Sequence, residues 1–141
     1  MTRKTAKPPK PTAAELDLLR VIWRLGPSTV KDAHQARLAE RQDVTYATVL
    51  RLMQVMHGKG LLTRDESQRS HVYAAAHAQD ALQTNLLRDL IQKAFSGSGK
   101  ALVLAALNEH VSEKERDEIR RFLKDNDDEG RDRNGTEHRD D

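Results

Sequence analysis

The chain has 141 residues and no cysteine, so disulfides and thiolate metal sites are excluded and the fold rests on apolar packing. Apolar residues make up 37% and charged residues 33%, a polar balance that predicts solvated or partner-facing segments beside a modest core. The formal net charge of +2 hides an asymmetry: residues 1–76 hold 13 Lys+Arg against 7 Asp+Glu, residues 77–125 hold 8 of each, and residues 126–141 hold 3 against 7. A basic first half is the electrostatic footprint of a nucleic-acid binder. No apolar run approaches the roughly 18 residues that span a bilayer. The opening MTRKTAKPPKP lacks the apolar stretch of a secretion signal, so a cytoplasmic location without membrane insertion is expected.

Residues 1–11 carry four Lys/Arg, three prolines and no acid, and read as a disordered basic arm. Thr12-Ala-Ala-Glu15 has capping-box spacing and opens a helix whose apolar face is Leu16, Leu19, Ile22 and Trp23. Gly26-Pro27 stops it. Ser28 or Thr29 caps a second helix, with Val30, Ala33, Ala36 and Leu38, running to about Glu40. Thr45 caps a third, with Val49, Leu52, Val55 and Met56 as its buried face and Gly60 placed to end it. The period then becomes alternating. Leu61–Glu66 and Ser70–Ala75 read as two strands around the turn Ser67-Gln68-Arg69, with Val72 inward and His71 and Tyr73 outward.

Helical spacing returns from about Gln79 to Phe95 through Leu82, Leu86, Leu90, Ile91 and Phe95, until Gly97-Ser-Gly99 breaks it. Residues 101–107, Ala-Leu-Val-Leu-Ala-Ala-Leu, form a short helix with no polar face, which is expected to be buried on every side. Ser112-Glu-Lys-Glu115 is a second capping box, opening a helix with Ile119, Phe122 and Leu123 on one face. Residues 126–141 contain no apolar side chain and read as a disordered acidic tail.

The expected fold is mainly α with a small β-hairpin wing. A winged helix-turn-helix domain at 12–76 is followed by a helical dimerisation segment at 77–125, although a winged helix usually adds a short strand after its first helix. About 45 residues make a poor globule alone. Their apolar faces call for a second copy, since two-fold dimers are the commonest assembly. The candidate dimerisation residues are Leu82, Leu86, Leu90, Ile91, Phe95, Leu102, Leu104, Ile119, Phe122 and Leu123.

A recognition helix sets its first residues on base edges in the major groove. In the third helix the outward positions near that end are Tyr46, Ala47, Thr48, Leu50, Arg51 and Gln54. Arg51 can donate two hydrogen bonds to guanine, Thr48 can meet a thymine methyl or a phosphate, and Gln54 can pair with adenine. Thr45, at the helix start, suits a phosphate. Arg69 at the hairpin tip, with Arg64 and His71 on its strands, can position the duplex through its backbone. Double-stranded operator DNA and a second copy of the chain are therefore the expected partners.

Other chemistries fare worse. Gly97-Ser-Gly-Lys100 lacks the glycine spacing, the following Ser/Thr and the preceding strand of a phosphate loop. The six histidines show no metal-ligand pairing, and no Ser/His/Asp grouping can be picked out, so neither an enzyme nor a cofactor is expected. A winged-helix module that binds protein is the alternative, but it has no need of a basic arm and an arginine on the reading helix.

The stretches Tyr46-Ala-Thr-Val-Leu, Lys59-Gly-Leu-Leu-Thr-Arg-Asp-Glu and His71-Val-Tyr73 resemble the penicillinase-repressor family, the BlaI/MecI/CopY type. Leu16-Asp-Leu-Leu with Ile22-Trp23 matches its opening helix, and residues 95–104 look like its dimerisation segment, so the resemblance covers about residues 12–124. It implies a homodimeric repressor on a palindromic operator, inactivated in many members when a membrane metalloprotease sensor triggers cleavage in the C-terminal region. Of the family's Glu-Gly-Arg-like wing tip only Arg69 carries over. Ala105-Ala106 stands where lactamase-linked members have the scissile Asn-Phe bond. The C-terminal cysteines of the copper-responsive branch are missing, which excludes copper sensing through thiolates. Arg51 stands where lactamase repressors often have threonine, which implies a different operator.

Overall fold

A computed structural model describes residues 9–40 and 42–137, with side chains as far as Gly130. Most of the expected basic arm, residues 1–8, and the last four residues of the acidic tail lie outside the described residues. The chain divides into two compact units, Met1–Asp89 and Leu90–Asp141.

The first unit contains α1 (Ala13–Leu25), α2 (Val30–Ala39), α3 (Tyr46–Gly58), β1 (Leu62–Asp65), β2 (Val72–Ala75) and most of α4 (Gln79–Ala94). Each of the first three helices starts where a threonine hydroxyl can accept an otherwise orphaned amide. Thr12 caps α1 and Thr29 caps α2, both as reciprocal capping boxes with Glu15 and Asp32, and Thr45 caps α3 by accepting the Thr48 N–H at 3.1 Å. At the other end of α3 the Leu61 N–H bonds back to Met56 O and the Gly60 N–H to His57 O, which closes a Schellman turn. Gly60 adopts φ +84°, a conformation that costs a residue with a Cβ, so the glycine lets the chain turn sharply from helix into β1.

Leu18, Leu19 and Ile22 of α1 pack with Ala33, Val49, Met53, Met56, Leu61, Leu62, Tyr73 and Leu82 in one core. Each such side chain, fully buried, contributes about 1.5–3 kcal/mol for the larger aliphatics. The helical face of α3 differs from the expected one: Met53 is buried, and Val55 stands 45% exposed. Val55 lies beyond the arc that Val49, Met53 and Met56 turn toward α1. Leu38 of α2 is likewise exposed.

The hairpin pairs Leu62 with Ala75 and Arg64 with Tyr73. Tyr73 is 2% exposed, so the inward and outward residues of β2 are the reverse of the expected order. The face of β2 that meets the core of α1 and α3 takes the larger tyrosine. Ser28, just before α2, exchanges both backbone hydrogen bonds with Tyr73 at 2.8 Å, a one-residue counterpart of the third strand of a winged helix, which places β2 between two neighbours. The first unit also runs past the expected boundary at residue 76, because Leu82 is 1% exposed and completes this core. Leu82 is therefore a core residue and not a dimer contact. Trp23 donates its indole N–H to His77 O at 3.0 Å, tying α1 to the segment that leads into α4.

In the second unit, Gly97 at φ +83° follows the end of α4, and Ser98 caps α5 (Gly99–Glu109) by accepting the Ala101 N–H at 3.0 Å. Ser112 and Glu115 form the expected capping box at the start of α6 (Glu113–Glu137). The Arg116 guanidinium donates to Leu107 O at 2.5 Å, satisfying a carbonyl at the end of α5. The expected disordered tail is instead helical as far as Glu137. Residues 126–137 contain no proline, so a helix started at the capping box propagates at the cost of one residue at a time. The expectation that α5 is buried on every side is not met within one copy, since none of its residues is buried.

Candidate nucleic-acid interface

Three elements of the first unit border one groove of about 420 Å³. Thr29 and Lys31 come from the first turn of α2, Tyr46, Leu50 and Gln54 from α3, and Arg69, Ser70 and His71 from the wing, with Tyr73 at the floor. Of the sequence candidates, Tyr46, Gln54, Arg69 and His71 meet here. Thr45, Thr48 and Arg51 stand exposed along the start of α3. The Thr45 and Thr48 hydroxyls lie 2.8 Å apart and bond to each other, so the capping hydroxyl is already engaged within the protein.

The cations on this side are unequal. Arg69, Arg51 and Lys31 are exposed, and none has an ion-pair partner among the described residues. Arg64 is different. On β1 it shares the inward face with Leu62, opposite Tyr73, and its guanidinium meets Glu66 at 2.5 Å. A hydrogen bond with Tyr73, then one with Glu66 and the charge of that carboxylate, hold Arg64 more firmly protonated than an ordinary arginine. Its Nε is buried and makes no hydrogen bond. Arg64 thus lies on the inward face of β1, as the two-residue period of the strand requires, and is engaged by Glu66.

The wing tip is shaped locally. Asp65 accepts the Ser67 N–H at 2.9 Å, and hydrogen bonds from the Ser67 side chain and backbone keep its carboxyl below the usual range. With Asp65 held by Ser67 and Glu66 by Arg64, the tip turns Arg69 to solvent.

Two residues that sequence reasoning passed over help to set the reading helix. His34 of α2 places Nε2 2.9 Å from Val44 O and meets the Tyr46 ring edge-on at 5.8 Å between centroids, which fixes the approach to the Thr45 cap. At the far end of α3, Lys59 bonds the buried carboxylate of Glu15 at 2.5 Å. Burial alone would raise the proton affinity of Glu15, but the hydrogen bonds from Lys59 and Thr12 and the lysine charge outweigh it and leave its pKa lowered. No spacing rule connects residues so far apart in sequence, so neither contact was visible there. Lys31 was missed because it sits on the second helix, away from the element expected to read.

Of the candidate dimer residues, Leu90 and Leu104 are half exposed, and Phe122 and Leu123 are 63% and 56% exposed. Ile91, Phe95, Leu102 and Ile119 are half-buried, and Leu86 packs on the core of the first unit.

The profile of the penicillinase repressor family matches residues 11–125. The chain belongs to that family. The family is one of transcriptional repressors, and the match takes in the three helices, the wing, α4, α5 and the first half of α6. Among curated relatives, the transcriptional regulator BlaI of Mycobacterium tuberculosis is 33% identical over 103 residues, which cover 72% of this chain and 74% of that protein. The penicillinase repressor of Staphylococcus aureus is 26% identical over 114 residues, 79% and 89% of the two chains. A solution structure of monomeric Bacillus licheniformis BlaI in complex with the blaP half-operator is also similar, with 20% identity, 53% of this chain and 90% of that one covered, and a TM-score of 0.46. Among the described residues no helix is long and apolar enough to cross a membrane.

Proposed function

We propose that this member of the family represses transcription as a homodimer, with α3 of each copy in the major groove of one half of a palindromic operator. The single observation that carries the reading is the groove in which Tyr46 and Gln54 of α3 meet Lys31 of α2 and Arg69 of the wing, with Thr48 and Arg51 exposed on the same helix. Arg51 reads a guanine, Gln54 and Thr48 read or flank neighbouring bases, and Tyr46, Lys31, Arg69 and His71 hold the backbone. The chain acts by binding and not by catalysis, in the cytoplasm where the operator is.

The second unit supports the dimer. Leu104, Phe122 and Leu123 leave apolar surface in water that a second copy would cover. Two linked reading heads convert the second half-site contact into an intramolecular one, so separating the copies releases the operator. Derepression follows from any event that parts them, proteolysis or loss of dimerisation alike, although Ala105-Ala106 replaces the Asn-Phe bond that is cut in lactamase-linked members.

Binding of Arg51→Ala and Arg69→Ala to operator and scrambled DNA across a salt series tests the roles. Arg51→Ala should cost roughly 1–3 kcal/mol on the operator and relax preference at one base pair per half-site. Arg69→Ala should weaken all duplexes alike and lower the salt slope by about one. Equal loss on both DNAs for Arg51→Ala removes it as a base reader. No effect from either variant transfers the surface to a protein partner.

A further inference from the structure

Val55 is 45% exposed on the solvent side of α3, although neither packing nor helix propensity places a valine there. Its side chain is outside the core that Val49, Met53 and Met56 enter. A β-branched residue is also a poorer helix former than the alanine, lysine or glutamine that ordinarily fills such a position. Thr48, Arg51 and Val55 stand at i, i+3 and i+7, so they form one stripe along the exposed side of the helix. Gln54, three residues after Arg51, borders the groove toward the wing and adjoins this stripe.

From this placement we infer that Val55 is a specificity-determining residue that recognises the C5-methyl group of a thymine in the operator, an inference that rests on the DNA-reading proposal above. The methyl is the one apolar feature a base pair presents in the major groove, and an isopropyl group is its complement. Helical rise sets the register. Arg51 and Val55 are separated by about 6 Å along the axis at 1.5 Å per residue, and base pairs step by about 3.4 Å. A helix lying along the groove therefore puts the thymine about two steps from the guanine read by Arg51. Thr48, about 4.5 Å to the other side of Arg51, extends the same line of contacts.

The test starts with selection of preferred duplexes from a random pool by the full chain. Each thymine of the selected half-site is then replaced singly by deoxyuridine, which removes the methyl and leaves the pairing unchanged. One replacement, about two steps from a guanine, should weaken binding of the wild-type chain about fourfold, the worth of one buried methyl-sized group. The same replacement should cost Val55→Ala nothing, while that variant still loses affinity when the guanine is changed. A wild-type chain indifferent to every replacement overturns the inference, and that arm needs no variant. So does a Val55→Ala chain as sensitive as the wild type. A pool that yields no enriched sequence overturns the DNA-reading proposal itself, and this inference with it.

Discussion

Replacing Lys59 by methionine isolates the carboxylate that the core of the first unit holds in its charged form. Glu15 has a side chain only 3% exposed, while its partner Lys59 is 33% exposed. A hydrogen bond to a charged group contributes about 1.5–3 kcal/mol, and water reaching the lysine places this one at the lower end. The bond from the Thr12 N–H at 2.8 Å survives the substitution. The expected cost at neutral pH is therefore about 1.5–2 kcal/mol. Loss of a cation at the end of α3 adds a few tenths that do not vary in this pH range. The pH-dependent part is diagnostic. In the wild type the folded pKa of Glu15 is lowered, so its contribution is complete above the ordinary glutamate range and is lost as pH falls through the folded pKa. Without Lys59 the burial of Glu15, the largest influence on it, is opposed only by Thr12, and the pKa moves up. The penalty of Lys59→Met is then largest near pH 7 and shrinks toward pH 4. Urea unfolding midpoints of the two proteins at equal concentration, measured at both pH values, give the answer. A cost below about 0.5 kcal/mol at pH 7, or one that does not change with pH, refutes the argument.

Two further substitutions probe the rest of the molecule. Leu104→Glu combined with Phe122→Glu should convert a dimer into a monomer by sedimentation while helix content is kept, because the two side chains are 49% and 63% exposed in one copy; a wild-type monomer at micromolar concentration, or an unchanged dimer in the variant, counts against the assigned surface. Arg64→Met should destabilise the hairpin and leave the salt slope of DNA binding unchanged, since Arg64 is engaged by Glu66 and Tyr73; a slope lower by about one would return it to the phosphate contacts.

Local signals were legible in the sequence to the extent that local chemistry decides the structure. Thr12, Thr45 and Ser112 cap helices because a hydroxyl at that spacing has few better uses, and Gly60 turns where only glycine turns freely. What failed was decided at a distance. Tyr73 faces inward because the core it enters is built by α1 and α3, far from it in the chain. Leu82 looked like the start of a dimer helix, yet α4 supplies it to the first core. Arg64 was assigned to DNA from its charge, and its strand position turned it toward Tyr73 instead. The exposure of Val55 was not legible, since hydrophobicity alone places a valine in the core and the helical arc decides otherwise.

The paired hydrogen bonds between Ser28 and Tyr73 join the wing to the entrance of α2, so the two walls of the groove are one mechanical part. If this surface reads DNA as proposed above, a groove tied in this way resists splaying to meet a duplex whose phosphates are spaced differently. The adjustment falls on the DNA, which must bend or twist to the width the protein presents. Base pairs that no side chain reaches then enter selection through their stiffness, with pliable steps accepted and rigid tracts refused. Under that proposal an operator would carry information between its contacted positions, written in deformability and set in part by the backbone pair of Ser28 and Tyr73.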